Sequence, residues 1–525
     1  MNSPLPPTPS PEAGKDYLHL VTEVDIASFC KGSKPPLLIL LCPIDEASKG
    51  FCKNLNEEGY DVLLVDSGSK WLTCESSIMD LTNPEAHSCD LDMRGSKGWR
   101  MSIHLVHLVS QVLKIDLSRS ANRNVAMINV GLDEEESDVS TAFNAECGGR
   151  LVKAVIHYGP QIVPKPPTDE GDEDKRPVLQ IPSFRQEEEE EEEEEEGPTS
   201  SSSSKPHANG HAKGLSPPPT LIHLSSQQEE LYSAFLRNVD EGIVSASGIP
   251  FHPLTVSKLE ASVGEARPKP FDLHMYPDVS ATRPWSWCFH LAFSTNTHRT
   301  AFGEGVKAEE RSAAGMAYTR TLRLLKQTVG PRFSIEQYWD QHCYLEFAER
   351  DPSKTMETMV AQPHVNHVAT MTGGAGKDQV TKFYTHHFVD CSPPDSKLIN
   401  VSRTVGTDRI VDEMIFTCTH TTEIEYFLPG VPPTGKRIEI PMVGIINFRG
   451  SKLAFESLYW DQSNVLVQLG LLDPEKSSLG KDSQGRRIRL PIAGQEVSQK
   501  VLDPLGRPSN QLMGEKWEAT LAGGK

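Results

Sequence analysis

Asp461 stands at the end of an alternating segment, residues 452–460, directly behind Tyr459 and Trp460. A carboxylate walled by aromatic rings loses hydration, so its pKa rises and it can serve as a general acid or base. An Asp between a strand and a helix has a second ordinary use, capping that helix. A helix is expected here, because Val465, Leu466, Leu469 and Leu472 recur at helical spacing. His420 is the next candidate. If residues 412–428 run as one strand, Asp412, Met414, Phe416, Cys418, His420, Ile424 and Tyr426 share a face. One histidine on such an apolar wall is either a satisfied core group or an acid–base helper that titrates near neutrality. His364 and His367 lie three residues apart, but no nearby Asp or Glu completes a triad, so no metal site is expected. The Gly-rich stretch 371–376 before Lys377 lacks the Gly-Lys-Ser/Thr of a phosphate loop.

These residues need a frame. In the C-terminal part, helices are expected over 335–350 and 377–387, with loop and helix material between them. Strands follow over 398–407, 409–420, 423–428, 438–448 and 453–460, separated by turn signals such as Pro429-Gly430 and Arg449-Gly450. Helices first and then an antiparallel meander predict an α+β domain. Alternation along 453–461 puts Leu453, Phe455, Ser457, Tyr459 and Asp461 on one face, and Glu456, Leu458 and Trp460 on the other.

The run from that last strand through Trp460-Asp461 to Gln468-Leu469-Gly470 resembles the closing strand and helix of the SnoaL-like polyketide cyclases, members of the nuclear-transport-factor-2-like superfamily. The resemblance extends back to about Phe333. It implies a cone, a curved antiparallel sheet wrapped by helices around a deep pocket, with an acid–base Asp that Asp461 matches; His420, from its place on the apolar face, is expected as the helper. Tyr459, Trp460 and Tyr426 are expected to contact a substrate, as are Asn366 and His367 at the pocket mouth. A homodimer through this domain is a further expectation, and the rival reading is a non-catalytic module that dimerises or binds a ligand.

The N-terminal part alternates apolar runs with helical patterns. Strands are expected over 36–42, 60–66, 125–130, 151–158, 220–224 and 271–276, and helices over 51–59, 101–115, 228–239 and 307–328. That order implies a parallel sheet. The landmarks Val125 to Gly131, the strand ending in Tyr158-Gly159, the strand Thr220 to Leu224, and His274-Met275-Tyr276-Pro277 resemble the dienelactone hydrolases, a branch of the α/β-hydrolase fold. The whole chain resembles fungal carboxymethylenebutenolidase-like fusions. The chemistry of that family does not follow. Its nucleophile Cys needs small flanking residues in a tight turn, and here the turn reads Gly131-Leu132-Asp133-Glu134-Glu135. The acid strand runs into Ser225-Ser226-Gln227-Gln228. Asp133 with His290 would be the remaining nucleophile and base.

Composition sets the outer limits. A chain of 525 residues exceeds one core, and 37% apolar content points to dilution of folded parts by disordered ones. Residues 166–214 hold fifteen acidic and five basic residues, half of the formal charge of -20. With the unbroken Glu187 to Glu196, they form a segment that cannot bury itself. The expected organisation is therefore a disordered tail over 1–16 and an α/β hydrolase-like parallel-sheet domain over 17–330. That domain is interrupted by a disordered insertion over 166–218. An α+β cone over 331–473 and a loose tail over 474–525 follow. No basic stripe suggests nucleic acid, no apolar run is long enough for a bilayer, and the ten cysteines lack metal spacing. The expectations are a cytoplasmic protein without cofactor, whose partner is a small molecule.

Overall fold

The computed structural model describes residues 17–20, 35–68, 97–113, 123–133, 136, 139–147, 151–161, 218–233, 271–279, 285–289, 291, 306–483, 485–514 and 517. The expected disordered tail and almost all of the acidic insertion lie outside these residues, as does His290. The chain divides into two compact units, Met1–Pro331 and Arg332–Lys525.

The first unit is built on a seven-stranded sheet of order β1-β3-β2-β4-β5-β6-β7. Its strands are β1 Tyr17–Leu20, β2 Leu37–Cys42, β3 Asp61–Asp66, β4 Val125–Val130, β5 Val152–Tyr158, β6 Thr220–Ser225 and β7 Phe271–Tyr276. All neighbours are parallel except β1 with β3. The continuous apolar runs read as central strands are buried on both faces, every residue of β2 and β4 included. The described unit also holds helices α1 Glu46–Glu57, α2 Lys97–Leu113, α3 Val139–Glu146 and α4 Ala308–Thr328, short 3-10 turns at Ser226–Gln228 and Ser286–Phe289, and helical residues 229–233 where a helix over 228–239 was expected. Asp45 and Ser48 form a reciprocal capping box at the start of α1. Two elements were not foreseen. β1 is too short to give a pattern, and α3 is a single short helix among polar residues.

The second unit carries a six-stranded sheet of order β10-β11-β12-β13-β8-β9. It begins with α5 Ile335–Cys343, which runs on into a π-helical turn over Tyr344–Glu349, then α6 Pro352–Glu357 and β8 Met359–His367. β9 Thr372–Ala375 and α7 Lys377–Phe383 follow, and α7 also passes into a π-helical turn, Tyr384–Phe388. The meander is β10 Lys397–Val405, β11 Arg409–Thr419, β12 Arg437–Arg449 and β13 Lys452–Trp460, closed by α8 Gln462–Leu469 and α9 Glu496–Leu502.

Three expectations are corrected. First, the sheet is mixed rather than antiparallel, because β8 pairs with β13 in parallel. β8 was hidden in the sequence by Pro363, which demotes a strand reading. The register of β8 against β13 shifts between Leu453 and Phe455, next to that proline. β9, the Gly-rich stretch, has weak strand propensity, yet its glycine is required. A Cβ on Gly373 would lie 2.1 Å from the Val365 carbonyl oxygen, and φ there is +124°. Second, residues 423–428 are not a strand. The Leu428 amide donates to the Ile424 carbonyl at 2.6 Å, making a turn in which Tyr426 and Phe427 both face inward. Successive residues of a strand could not do so. Third, the C-terminal segment is tied down at least as far as α9. Ser498 Oγ donates to the Glu439 carbonyl at 2.6 Å, and Asn464 Nδ2 donates to the Gly494 carbonyl at 2.8 Å.

Candidate functional site

The inner face of the second unit's sheet borders a narrow cavity, whose empty space is about 440 Å³ when the gaps between atoms and the solvent at its mouth are included. The meander contributes Leu398, Met414, Phe416 and Met442, and β13 contributes Glu456, Leu458 and Trp460. Trp339, Glu346 and Phe347 come from α5 and its π-helical turn. His367 ends β8, Phe388 ends the second π-helical turn, and Tyr426 with Phe427 comes from the turn after β11. The walls are thus aromatic and aliphatic, as ligand pockets mostly are.

One end of this apolar cavity is ionisable. His342, Glu346 and Glu456 are buried, and their ligand-type atoms all lie within 4.8 Å of one another. His342 and Glu346 are one helical turn apart, which stacks them on one face of the helix. Their Nε2 and Oε1 atoms are 3.1 Å apart. Glu456 reaches them from β13. On the other side, His342 Nδ1 sits 2.6 Å from Thr358 Oγ1. That hydroxyl spends its own proton on the Thr355 carbonyl, at 2.6 Å, so it accepts from Nδ1–H. The imidazole therefore turns Nε2 towards the carboxyls. The Tyr384 hydroxyl lies 3.4 Å from Nε2. Glu346 Oε1 and Glu456 Oε2 have no hydrogen-bond partner. Burial pushes the Glu456 carboxyl well above its usual range, the neighbouring Glu346 raises it further, and a hydrogen bond from Tyr384 opposes both.

α5 is locked in place beside this cluster. Trp339 Nε1 donates to Asp412 Oδ2 at 2.8 Å, and Arg403 grips the same carboxylate with two further bonds of 2.8 Å. A bidentate pair of this kind fixes direction as well as distance.

The residues expected from sequence divide into two groups. Trp460, His367 and Tyr426 line the cavity. Tyr459 does not, being 45% exposed on the opposite face of β13. Asn366 alternates away from His367 and pairs in register with Ser457 and Gly373. His420 is buried outside the lining, at the end of β11, where its Nδ1 accepts from the Thr434 amide at 3.3 Å. Burial holds its pKa below the usual value, and it serves to anchor the turn before β12. Asp461 is the N-cap of α8, with its exposed carboxylate accepting from the Ser463 amide at 2.9 Å. Of its two readings from sequence, the geometry has the cap. Alternation had sorted β13 correctly, but the cavity lies on the face of Glu456, Leu458 and Trp460.

The cap reading has a simple test. Asn caps as well as Asp, so Asp461→Asn should leave the melting temperature unchanged, while Asp461→Ala should cost about 1 kcal/mol. Equal loss in both variants would mean that the charge, not the cap, is what matters there.

His367 supplies a pH signature. Its ring packs among Phe388, Tyr426, Phe383 and Trp460, with centroids 5.3–5.9 Å away. Its Nδ1 lies 3.2 Å from Thr372 Oγ1. Burial lowers its pKa from 6.5 to about 3. The unfolded chain therefore takes a proton below pH 6.5 that the folded chain refuses until near pH 3. Stability should fall with falling pH across that window, by up to about 1.4 kcal/mol per unit. Denaturant midpoints of His367→Phe, compared with wild type, should show a shallower slope. Parallel slopes would exclude His367 as the cause.

In the N-terminal unit, the turn after β4 that stands at the place of a nucleophile elbow is filled differently. Gly131 has φ +69° at the end of β4, and the Trp285 indole occupies the space beside it, 2.2 Å from where a Cβ would stand. Asp133 accepts from the Glu136 amide at 2.9 Å, and Lys97 bridges to Glu136 at 2.5 Å and to Asp133 at 3.4 Å. Its carboxylate is thus engaged in local turn bonds and an ion pair.

Residues 341–469 match the family model described as SnoaL-like polyketide cyclase, so the C-terminal unit carries a SnoaL-like domain. Among solved structures, a SnoaL-like protein from Jannaschia sp. CCS1 is 19% identical, covering 27% of this chain and 99% of that one, with a TM-score of 0.22. TsrD from Streptomyces laurentii is 16% identical over 27% of this chain and 100% of its own, with a TM-score of 0.22. An NTF2-like protein of unknown function from Burkholderia pseudomallei K96243 is 16% identical over 26% and 98%, with a TM-score of 0.21. No curated protein matches the chain. No helix among the described residues is long and apolar enough to cross a membrane.

Proposed function

We propose that the SnoaL-like domain binds a small, largely apolar carbonyl compound and moves a proton on it, in chemistry of the isomerase, cyclase or hydratase type. The reactive end is the cluster of His342, Glu346 and Glu456. One observation carries this reading: two buried carboxyls, each with an oxygen that has no hydrogen-bond donor, converge at the end of an otherwise apolar cavity. Buried polar atoms are nearly always satisfied, so such orphans mark a site kept for something else. Trp460, His367 and Tyr426 are proposed to contact the ligand.

The first unit is proposed as a hydrolase-like scaffold that does not hydrolyse esters or lactones. Support comes from the engaged Asp133 and from the indole beside Gly131.

The test uses the full chain and a panel of small cyclic ketones and enones in heavy water. Proton NMR should show deuterium entering at the carbon next to the carbonyl, and Trp460 fluorescence should report binding. Binding without exchange would make the domain a carrier. Neither binding nor exchange across the panel would overturn the proposal.

A further inference from the structure

We propose that His342, Glu346 and Glu456 form a mononuclear site for a divalent transition metal ion, zinc or one of similar donor preference, with an open position facing the cavity. This rests on the reading that the cluster is the reactive end of that cavity.

The donor set fits such an ion. One imidazole nitrogen and two carboxylate oxygens, without a thiolate, suit zinc, manganese, iron or cobalt in the divalent state. Spacing agrees. Tetrahedral bonds of about 2.0–2.2 Å place ligand atoms about 3.3–3.6 Å apart. The His342–Glu346 separation of 3.1 Å is close to that bite, and Glu456 lies within the same 4.8 Å neighbourhood. Three protein ligands and a fourth position open to substrate are what distinguish catalytic sites from closed structural ones.

The surroundings point the same way. Metal-bound histidines commonly donate their second ring N–H to a protein oxygen, which fixes the tautomer and aims the lone pair. His342 does this through Thr358. Its free lone pair then faces a carboxyl oxygen at 3.1 Å. A lone pair set against a carboxyl oxygen is bridged by a proton or by a metal cation, and only the cation would also take up the unpartnered oxygens of Glu346 and Glu456. A doubly charged ion neutralises both carboxylates and occupies the orphaned oxygens at once. Glu346 and Tyr384 both sit on π-helical turns. Such turns frequently occur at functional sites. In the proposed chemistry the ion would polarise a carbonyl oxygen or hold an activated water in the open position.

The experiment takes the full chain, strips it with chelator, and titrates Co²⁺ and Zn²⁺ by calorimetry and visible absorption. One ion per chain is expected, with the Co²⁺ bands of a low-coordinate site. Glu456→Gln should weaken binding at least 100-fold. Thr358→Val should weaken it about 10- to 100-fold and Thr358→Ser should restore it, since an outer partner is worth about that much. His387→Ala, at the half-exposed His387–Glu425 pair, should change nothing. Circular dichroism melts establish that each variant is folded. Absence of saturable binding in the folded wild type, or binding indifferent to Glu456→Gln, would overturn the proposal. Ligand-induced Trp460 fluorescence in the stripped protein reads the cavity separately, so a metal-free protein that still binds and exchanges ketones would sink the metal site alone.

Discussion

Glu456→Gln should cost the protein roughly 100- to 10,000-fold in proton exchange, the usual worth of a positioned acid–base group. Gln fills the same volume, so the aromatic walls of the cavity and their ligand contacts should survive. Binding reported by Trp460 should therefore change little while exchange disappears. The comparison with Asp461→Asn is the decisive one. Asp461 lies one residue after β13, and its carboxylate accepts amide bonds at the start of α8 instead of facing the cavity. Exchange should persist in that variant. If Asp461→Asn removes exchange and Glu456→Gln does not, the reactive group has been placed on the wrong face of β13.

The largest loss of stability is expected from Arg403→Ala. Asp412 is almost wholly buried, with a side chain 4% exposed, and is held by Arg403 and by the Trp339 indole. Removing the guanidinium leaves a buried charge with one neutral donor. Breaking a buried pair in this way typically costs about 3–5 kcal/mol. Because Trp339 and His342 share α5, the loss should also loosen the reactive end, and exchange should drop along with stability. Replacing both partners, Arg403→Met with Asp412→Leu, removes the uncompensated charge and should recover much of the stability. Chemical denaturation of the wild type, Arg403→Ala and the double variant measures this. A cost below about 1 kcal/mol for Arg403→Ala would show the pair to behave as an exposed one.

Much of the architecture was legible in the residues. Apolar runs such as Leu37–Cys42, and Val125–Val130 with its single Asn129, read as buried parallel strands, and they are central strands of the sheet. The long meander strands and the helices starting at Ile335 and Lys377 also appear close to where their periodicity puts them. Strand pairing was less legible. β8 carries a proline and polar residues, and β9 is mostly glycine and small residues. Their place in the sheet comes from long-range bonds to β13 and to each other, not from their own propensity. The turn over 424–428 deceived for a related reason. Its apolar residues read as a strand, but the adjacent Tyr426 and Phe427 both face the cavity, and Ile424 and Leu428 are buried in the same core.

The site divides in the same way. Period-two alternation separates Glu456, Leu458 and Trp460 from Tyr459 and Asp461 without any structure, because side chains of a strand must point to opposite faces. Which of those faces is inside depends on α5, Thr358 and the π-helical turn at Tyr384, brought to Glu456 from more than seventy residues away in the chain. A helical pair such as His342 and Glu346 is ordinary in a sequence. It becomes a site only when tertiary folding sets a third carboxyl against it and excludes water from all three. Local patterns report how a segment presents its side chains, while burial and convergence are properties of segments distant in sequence, and those the tertiary structure alone decided.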